Sequence, residues 1–349
     1  MNNKIKTMVG SFIVLFIFTL TGCGVNKESE YLKVATQYLD ACEYEKALES
    51  FEQAKTENTT NPRIVERGIG ITYLGLADYD NAIAHLNEAL SLSKGIIEDV
   101  DYDINYYLAS AYSLSGNTDK ALEIYNSILA LRPEAIDANY QKALIYLELN
   151  QIDNAKAQFD NTISFAPTNY DLIISISKEF KEVGQEEIGN SYLQATLDTN
   201  IKKMNEAEKG NFYYHLGDYE NARISLESAK GSDLEATLML GKTYEKLGDL
   251  NYAITVYNAS ITKEKNAIIY NQLALCYIKL KDYNGALDCI ENALELDDIP
   301  NLQNLLFNEI VVHEYLLDFD KAKILTEEYL EKYPTDMDAR REYEFLSTR

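Results

Sequence analysis

An all-α chain of repeated helix pairs is what this sequence predicts, and three observations carry that expectation. A small residue returns at a near-constant interval, at Ala47, Ala82, Ala121, Ala155, Gly189, Ala222, Ala253, Ala286 and Ala322, with steps of 31 to 39 residues. Such a period over nine repeats is the mark of stacked supersecondary units. A ring stands nine residues before each: Tyr38, Tyr73, Tyr112, Tyr146, Phe180, Tyr213, Tyr244, Tyr277 and, in the last repeat, His313. Composition agrees, since 349 residues contain only 5 prolines and 16 glycines and are rich in Leu, Ala, Glu, Lys and Tyr, which favour helix. With 46% hydrophobic and 25% charged residues, the chain has ordinary globular material for a sizeable core.

Each repeat reads as two helices. Twelve residues before the aligned position lies another small residue, Ala35, Gly70, Ala109, Ala143, Ser177, Gly210, Gly241 or Ala274, with Ile310 as the exception. Four residues after it lies a large one, Phe51, Leu86, Tyr125, Phe159, Leu193, Leu226, Tyr257 or Ile290, with Thr326 in the ninth repeat. Two helices approach closely only where small side chains mark the crossing, and the rings fill the wedge beside it. The remaining apolar residues form a stripe at helical period. Between the helices stand turn signals such as Gly116-Asn117, Gly184-Gln185, Gly217-Asp218 and Gly248-Asp249, in which Gly ends one helix in the left-handed conformation and Asp caps the next. Pro133, Pro167 and Pro334 each fall twelve residues after the aligned position, where a second helix should stop. The 39-residue step places extra loop at Ser93 to Asp101, and Ala339, Tyr343 and Leu346 put one apolar face on a final capping helix within 335–349.

This pattern resembles the tetratricopeptide repeat family over residues 28–334. The stretch Leu240-Gly241-x-x-Tyr244 with Ala253 and Tyr257 matches the family motif best, and Thr237 stands where the family prefers tryptophan. The resemblance implies a single right-handed superhelical solenoid of about nine antiparallel helix pairs, spanning 30–334, with 335–349 as its cap. It also implies that the first helix of each repeat lines a concave groove. Positions 18, 15, 11, 8 and 7 before the aligned residue are then groove candidates. They include Leu32, Leu39, Ile64, Ile71, Leu74, Tyr106, Leu114, Tyr140, Leu144 and Leu147 in the first four repeats. The middle repeats supply Lys178, Lys181, Lys242 and Lys246 with Tyr214 and His215, and the last two supply Ile268, Leu275, Ile278, Phe307, Val311 and Tyr315. The expected binding residues are Tyr106, Tyr140, Leu144, Tyr214, Lys178, Lys242 and Phe307, with Tyr106, Tyr140 and Phe307 as anchors for a peptide or helix of another protein. Repeats that grip a carboxylate-terminal chaperone tail use Lys and Asn at fixed places, of which only Asn211 matches here, so that kind of clamp is not expected.

Residues 1–22 read as a processing segment. Lys4 and Lys6 precede an apolar run from Met8 to Leu20, which is shorter than the roughly 20 residues a spanning helix needs and has the layout of a secretory signal. Leu20-Thr21-Gly22-Cys23 resembles the lipobox of bacterial lipoproteins. That resemblance implies a diacylglycerol on Cys23, a lipidated tether over 23–29, and a protein held at the extracytoplasmic face of a bacterial membrane, with an outer membrane allowed by Gly24. Two acyl chains, at about 0.8 kcal/mol per buried CH₂, make a firm anchor without a transmembrane helix. Cys42, Cys276 and Cys289 lie inside helical patterns and read as small buried thiols.

Charge and motifs narrow the function. A net charge of -24, from 56 acidic and 32 basic side chains, argues against nucleic acid as the partner. Loss of residues 1–22 would remove Lys4 and Lys6 and leave -26. The three histidines show no metal spacing, and no phosphate-binding glycine string is present. Asp99-x-Asp101-x-Asp103-x-Asn105 fails as a calcium loop, since Ile104 and Ser110 stand where glycine and glutamate are needed; capping and turn roles fit it better. His85 reads as an outward second-helix residue. No enzyme activity and no cofactor beyond the lipid are expected. The anticipated role is a monomeric, membrane-anchored interaction scaffold. The alternatives are a lipoprotein of an envelope assembly, secretion or pilus system, and an accessory lipoprotein that binds peptides or glycans.

Overall fold

The computed structural model describes residues 29–57, 61–229, 231, 233–300 and 302–348, and among them every regular element is an α-helix, nineteen in all. Odd-numbered helices are the first of each pair. They are α1 (Glu30–Asp40), α3 (Pro62–Gly75), α5 (Asp99–Leu114), α7 (Ile136–Glu148), α9 (Tyr170–Glu182), α11 (Glu206–Leu216), α13 (Leu234–Lys246), α15 (Ala267–Lys279) and α17 (Leu302–Tyr315). The second helices are α2 (Tyr44–Lys55), α4 (Tyr79–Ser91), α6 (Thr118–Leu131), α8 (Ile152–Phe165), α10 (Glu186–Asn200), α12 (Tyr219–Ser228), α14 (Leu250–Ile261), α16 (Tyr283–Leu294) and α18 (Phe319–Lys332), and α19 (Met337–Leu346) follows. The lipobox, Cys23 and the processing segment lie outside the described residues. No described helix is long and apolar enough to cross a membrane.

The expected crossing is present with one refinement. All nine aligned small residues are buried, yet the small residue on the first helix mainly receives the large residue on the second. A Cβ on Gly70 would stand 2.7 Å from Leu86, one on Gly210 2.4 Å from Leu226, and one on Gly241 2.2 Å from the Tyr257 ring. The crossing is thus a hole for a knob as well as a meeting of two small residues. Ile310 breaks the small-residue rule in the ninth repeat, where Thr326 replaces the knob, and both are fully buried. A bulky residue on one helix is matched by a short one on the other.

The turn is identical in all nine pairs. A left-handed residue lies five before each aligned position: Gly116, Gly184, Gly217 and Gly248, but also Cys42, Ala77, Asn150, Lys281 and Leu317, with φ between 56 and 63° for these five. The next N–H reaches back to the carbonyl of the conserved ring position, as from Asp78 to Tyr73, Asp249 to Tyr244 and Asp318 to His313, closing a Schellman turn. Asp78, Asn117, Asp218, Asp249, Asp282 and Asp318 then cap the second helices with side-chain oxygens. Cys42 is therefore an exposed turn residue rather than a buried thiol; its place is fixed by the turn and not by packing. Helix α5 starts at Asp99, so the extra loop ends before it.

The helix pairs form the repeat solenoid expected, and its contacts divide into two compact units, one up to Leu172 and one from Ile173. The first holds α1 to α8 around cores that include Phe51, Ile69, Leu86, Ile104 and Tyr125. The second packs Leu226, Tyr257, Ile269, Leu273 and Ile290 into one core and Ile310, Tyr329, Ala339 and Leu346 into another. Helix α19 closes the latter with Ala339 and Leu346 buried, while the Tyr343 hydroxyl donates to Glu327 at 3.0 Å.

Two substitutions, one at the crossing and one in a turn, should act in opposite directions. Gly241→Ala drives a methyl into the Tyr257 ring and should lower unfolding free energy by about 1–3 kcal/mol despite the better helix propensity. Leu317→Gly relieves a left-handed leucine that is 73% exposed and should raise stability by up to about 1 kcal/mol. Urea unfolding followed by circular dichroism measures both; a stabilised Gly241→Ala protein would contradict the knob-and-hole crossing.

Candidate functional site

In the first unit, most of the apolar first-helix stripe is used for packing. Leu32, Leu39, Ile71, Leu74, Tyr140 and Leu147 are buried, and α1 lies against α3 and α3 against α5. Tyr140 is only 6% exposed and sits edge-on to Phe159, with centroids 5.3 Å apart. It is a core residue rather than a partner anchor. Tyr106, at the same register, leans on the buried Tyr125 ring at 6.2 Å but stays half-buried. Burial and the nearby Asp137 carboxylate push its hydroxyl up to about 12. The register fifteen before the aligned residue faces the large residue four after it, which draws rings inward. Tyr106 and Leu144, with Ile64 and Leu114, are thus the groove candidates of this unit that keep accessible surface.

The alternating acids at the start of α5 are taken up by arginines. Arg63, itself buried, pairs with Asp101 and, at 2.9 Å, with Glu98; Arg67 pairs with Asp103, and Arg132 with Asp99 at 2.7 Å. Asp101 also closes a capping box with Glu98. The Arg63 and Arg67 pairs tie α3 to the start of α5 across successive repeats, whereas Arg132 joins the end of α6 to α5 within one repeat, and breaking a buried pair by removing one partner would leave an uncompensated charge. His85, expected to point outward, is held to its own repeat: Nδ1 lies 2.7 Å from Glu66, and the ring stacks on Tyr73 at 5.4 Å. Burial works against the Glu66 carboxylate, but hydrogen bonds from Lys55 and His85 outweigh it and hold the group below its usual range.

The second unit is different. Its apolar first-helix residues Ile268, Leu275, Ile278, Phe307 and Val311 remain partly exposed, and Tyr315 is 54% exposed. Phe307 rests on Tyr329 with centroids 5.8 Å apart, and Tyr315 stacks face to face on Tyr283 at 4.7 Å. Each ring is held in one orientation by a partner below it while keeping surface available. Beside this pad, α9, α11 and α13 carry Lys178, Lys181, Tyr214, His215 and Lys242. Tyr214 is wedged between His215 and Tyr219, with centroids 5.3 and 5.6 Å away. Burial raises its hydroxyl, helped by Tyr219 and Glu245.

His215 collects the charge of this cluster. Burial lowers its pKa first, and the ammonium groups of Lys178, Lys181 and Lys242 lower it further, to about 4. Lys181 is itself lowered by burial and donates to the His215 carbonyl. Asn211 shares the register of Lys178 and Lys242, eleven before the aligned residue, and its Oδ1 is buried without a hydrogen-bond partner among the described residues. Lys178, Lys242 and Tyr214 were expected at the site from the sequence. Their convergence on one imidazole was not, because it joins three repeats. The visible signal is the recurrence of Lys, Asn and Lys at one register in consecutive repeats.

Repeated helix pairs of this geometry define a class of helical-repeat proteins whose first helices present a side-chain surface. Sequence models described as tetratricopeptide repeat match residues 61–134, 114–171, 207–235, 234–262 and 267–298. Together they cover more than half of the chain, which belongs to the tetratricopeptide repeat family. BBSome complex member BBS4 of Bos taurus is 24% identical over 274 residues, 77% of this chain and 51% of the relative. The intraflagellar transport protein 88 homolog of Homo sapiens is 20% identical over 266 residues, 75% of this chain and 29% of the relative. The chain thus spans about half of the first relative and less than a third of the second. A solved tetratricopeptide repeat protein from Parabacteroides merdae is 17% identical with a TM-score of 0.43, covering 81% of this chain and 97% of that one.

His215 should titrate near pH 4 in ring-proton NMR, and Lys178→Gln with Lys242→Gln should raise it only part of the way toward 6.5, because burial, the larger cause, remains. Because its folded value lies below the unfolded one, the folded state binds fewer protons, and the histidine lowers stability as pH falls from about 6.5 toward 4. A native titration near 6.5 would show that the imidazole is neither buried nor acted on by the lysines.

Proposed function

We propose that this protein is an interaction scaffold that holds a segment of another protein against the first helices of its second unit. One observation carries the reading: Leu275, Ile278, Phe307, Val311 and Tyr315 keep accessible apolar surface, whereas most of their counterparts in the first unit are buried. A patch with ring anchors supported from beneath is what a protein-binding surface requires. Tyr106 and Leu144 offer a smaller second contact area on the first unit. The family likeness supports the general role, since BBS4 is by its description a member of a complex.

The location is part of the proposal and rests on sequence alone. Lys4, Lys6, the apolar run to Leu20 and the Leu20-Thr21-Gly22-Cys23 string support a diacylglycerol on Cys23 and a protein anchored at the extracytoplasmic face of a bacterial membrane. A scaffold tethered there would recruit partners of the cell envelope, such as parts of an assembly or secretion system.

Fractionation and crosslinking test both halves. Cys23→Ala should shift the protein from the membrane pellet to the soluble fraction; a variant still in the pellet would remove the lipid anchor from the proposal. A photoreactive residue at Phe307 or Tyr315 should capture one envelope protein in native membranes, and one at Ile324, exposed on α18, should not. Equal capture from both faces would sink the first-helix assignment.

A further inference from the structure

One edge of the first unit carries an apolar patch that neither its cores nor its first-helix surface uses. Within a pair the helices run antiparallel on either side of the left-handed turn, so first helices start and second helices end at one edge, while the turns line the other. Seven residues join α4 to α5 at the first edge, against four between α6 and α7. The longer connection holds Ile96, 74% exposed, and Ile97, 58% exposed, just beyond Gly95 at φ 83°. Together with Leu131, the last residue of α6, they line one cleft with Tyr102 and Ile128. Tyr31, Leu92 and Phe165 are exposed along the same edge. Of the exposed large apolar side chains among the described residues of this unit, only Leu149 lies at the opposite edge, beside a turn. No acid stands between Leu92 and Ile97 in a chain that has 56. Glu98 and Asp99, which follow, are each matched by an arginine, Arg63 at 2.9 Å and Arg132 at 2.7 Å. A contiguous exposed apolar patch of this kind marks a contact surface.

We propose that this edge rests on the lipid bilayer, with Ile96, Ile97 and Leu131 entering the boundary between headgroups and acyl chains. The inference rests on the diacylglycerol anchor proposed above and adds the orientation of the first unit on the membrane. Chain length selects lipid as the occupant. Ser29 caps α1, its hydroxyl oxygen accepting from the Leu32 N–H at 3.3 Å, and only six residues separate it from Cys23, which lies outside the described residues. At roughly 3.3–3.6 Å per residue such a tether reaches at most about 20 Å. Helix α1 lies against α3 and α3 against α5, and two steps of about 8–10 Å put the connection before α5 within about 20 Å of Ser29 along the same edge. The anchor therefore holds this edge near the surface at an effective concentration of about millimolar, at which an apolar contact too weak to recruit the chain by itself becomes populated. Lys94 and Arg132 keep their charges among the headgroups while their stems lie along the patch, and the Tyr31 and Tyr102 rings are of the kind that favours the interface. A net charge of -24 opposes approach to an anionic surface, so apolar insertion rather than charge attraction carries the contact.

The sequence contains no tryptophan, which makes a single introduced one a clean probe. The full lipidated chain is reconstituted into vesicles of phosphatidylethanolamine and phosphatidylglycerol, with and without bromine on the acyl chains. Ile97→Trp and Leu131→Trp should each emit at shorter wavelength on vesicles than in detergent-free buffer after lipid removal, and brominated lipid should quench them by at least about twofold, as expected for side chains at the headgroup–acyl boundary. Leu149→Trp should be quenched by neither lipid. Adding Ile96→Asp and Ile97→Asp to the Leu131→Trp chain should abolish its quenching while the thermal midpoint and sedimentation with vesicles are retained, because both isoleucines are exposed and the acyl chains still hold the protein. Sedimentation without quenching of Ile97→Trp, or equal quenching of Leu149→Trp, would overturn the edge contact and leave the anchor standing. Shielding of Ile97→Trp in native membranes but not in pure lipid vesicles would make the occupant a protein and overturn the contact as well. A chain from native membranes whose mass lacks the diacylglycerol would overturn the anchor, and this inference with it.

Discussion

Close approach of two helices within each repeat is the constraint on which the rest of the structure depends. At the crossing, Gly70, Gly210 and Gly241 leave no room for a Cβ because Leu86, Leu226 and Tyr257 fill the space above them. A knob seated at that depth fixes the separation of the helices, and with it the direction in which the next pair leaves. The same contact returns about every 34 residues, so a small error in one would propagate to its neighbours. This is why the ninth repeat changes both sides of the contact together, with Ile310 facing a short Thr326.

The turn is equally constrained, and by backbone geometry rather than by side chain. The same left-handed residue and the same return hydrogen bond occur in all nine pairs, whether the residue is Gly or one of Cys42, Ala77, Asn150, Lys281 and Leu317. A non-glycine residue there costs about 1–2 kcal/mol. Packing of the paired helices offsets that cost, so tertiary structure overrides local preference five times.

The two units spend the same pattern differently. In the first, the aliphatic side chains of neighbouring first helices meet and bury, and the arginines of α3 neutralise the acids of α5. In the second, rings such as Phe307 and Tyr315 are braced from below and left open, and lysines from two helices flank a neutral histidine. One repeat scaffold thus yields a cohesive half and a presenting half through substitutions at a few first-helix registers.

The periodic sequence alone determined the helix pairs, most of their turns and caps, and the positions of the small and large residues at the crossing, because each depends on residues within about 35 positions of one another. It also named Lys178, Lys242, Tyr214 and Phe307 as candidates by register. Register could not separate Tyr140 from Tyr106, since both occupy the same place in their repeats; burial differed only once neighbouring helices were packed. Nor could it show that Cys42 lies in a turn, that His85 turns back to Glu66, or that lysines of the fifth and seventh repeats act on the histidine of the sixth. Those facts belong to the tertiary structure, because accessibility and electrostatic potential at a side chain are sums over everything packed around it, and a repeat motif specifies only its own contribution.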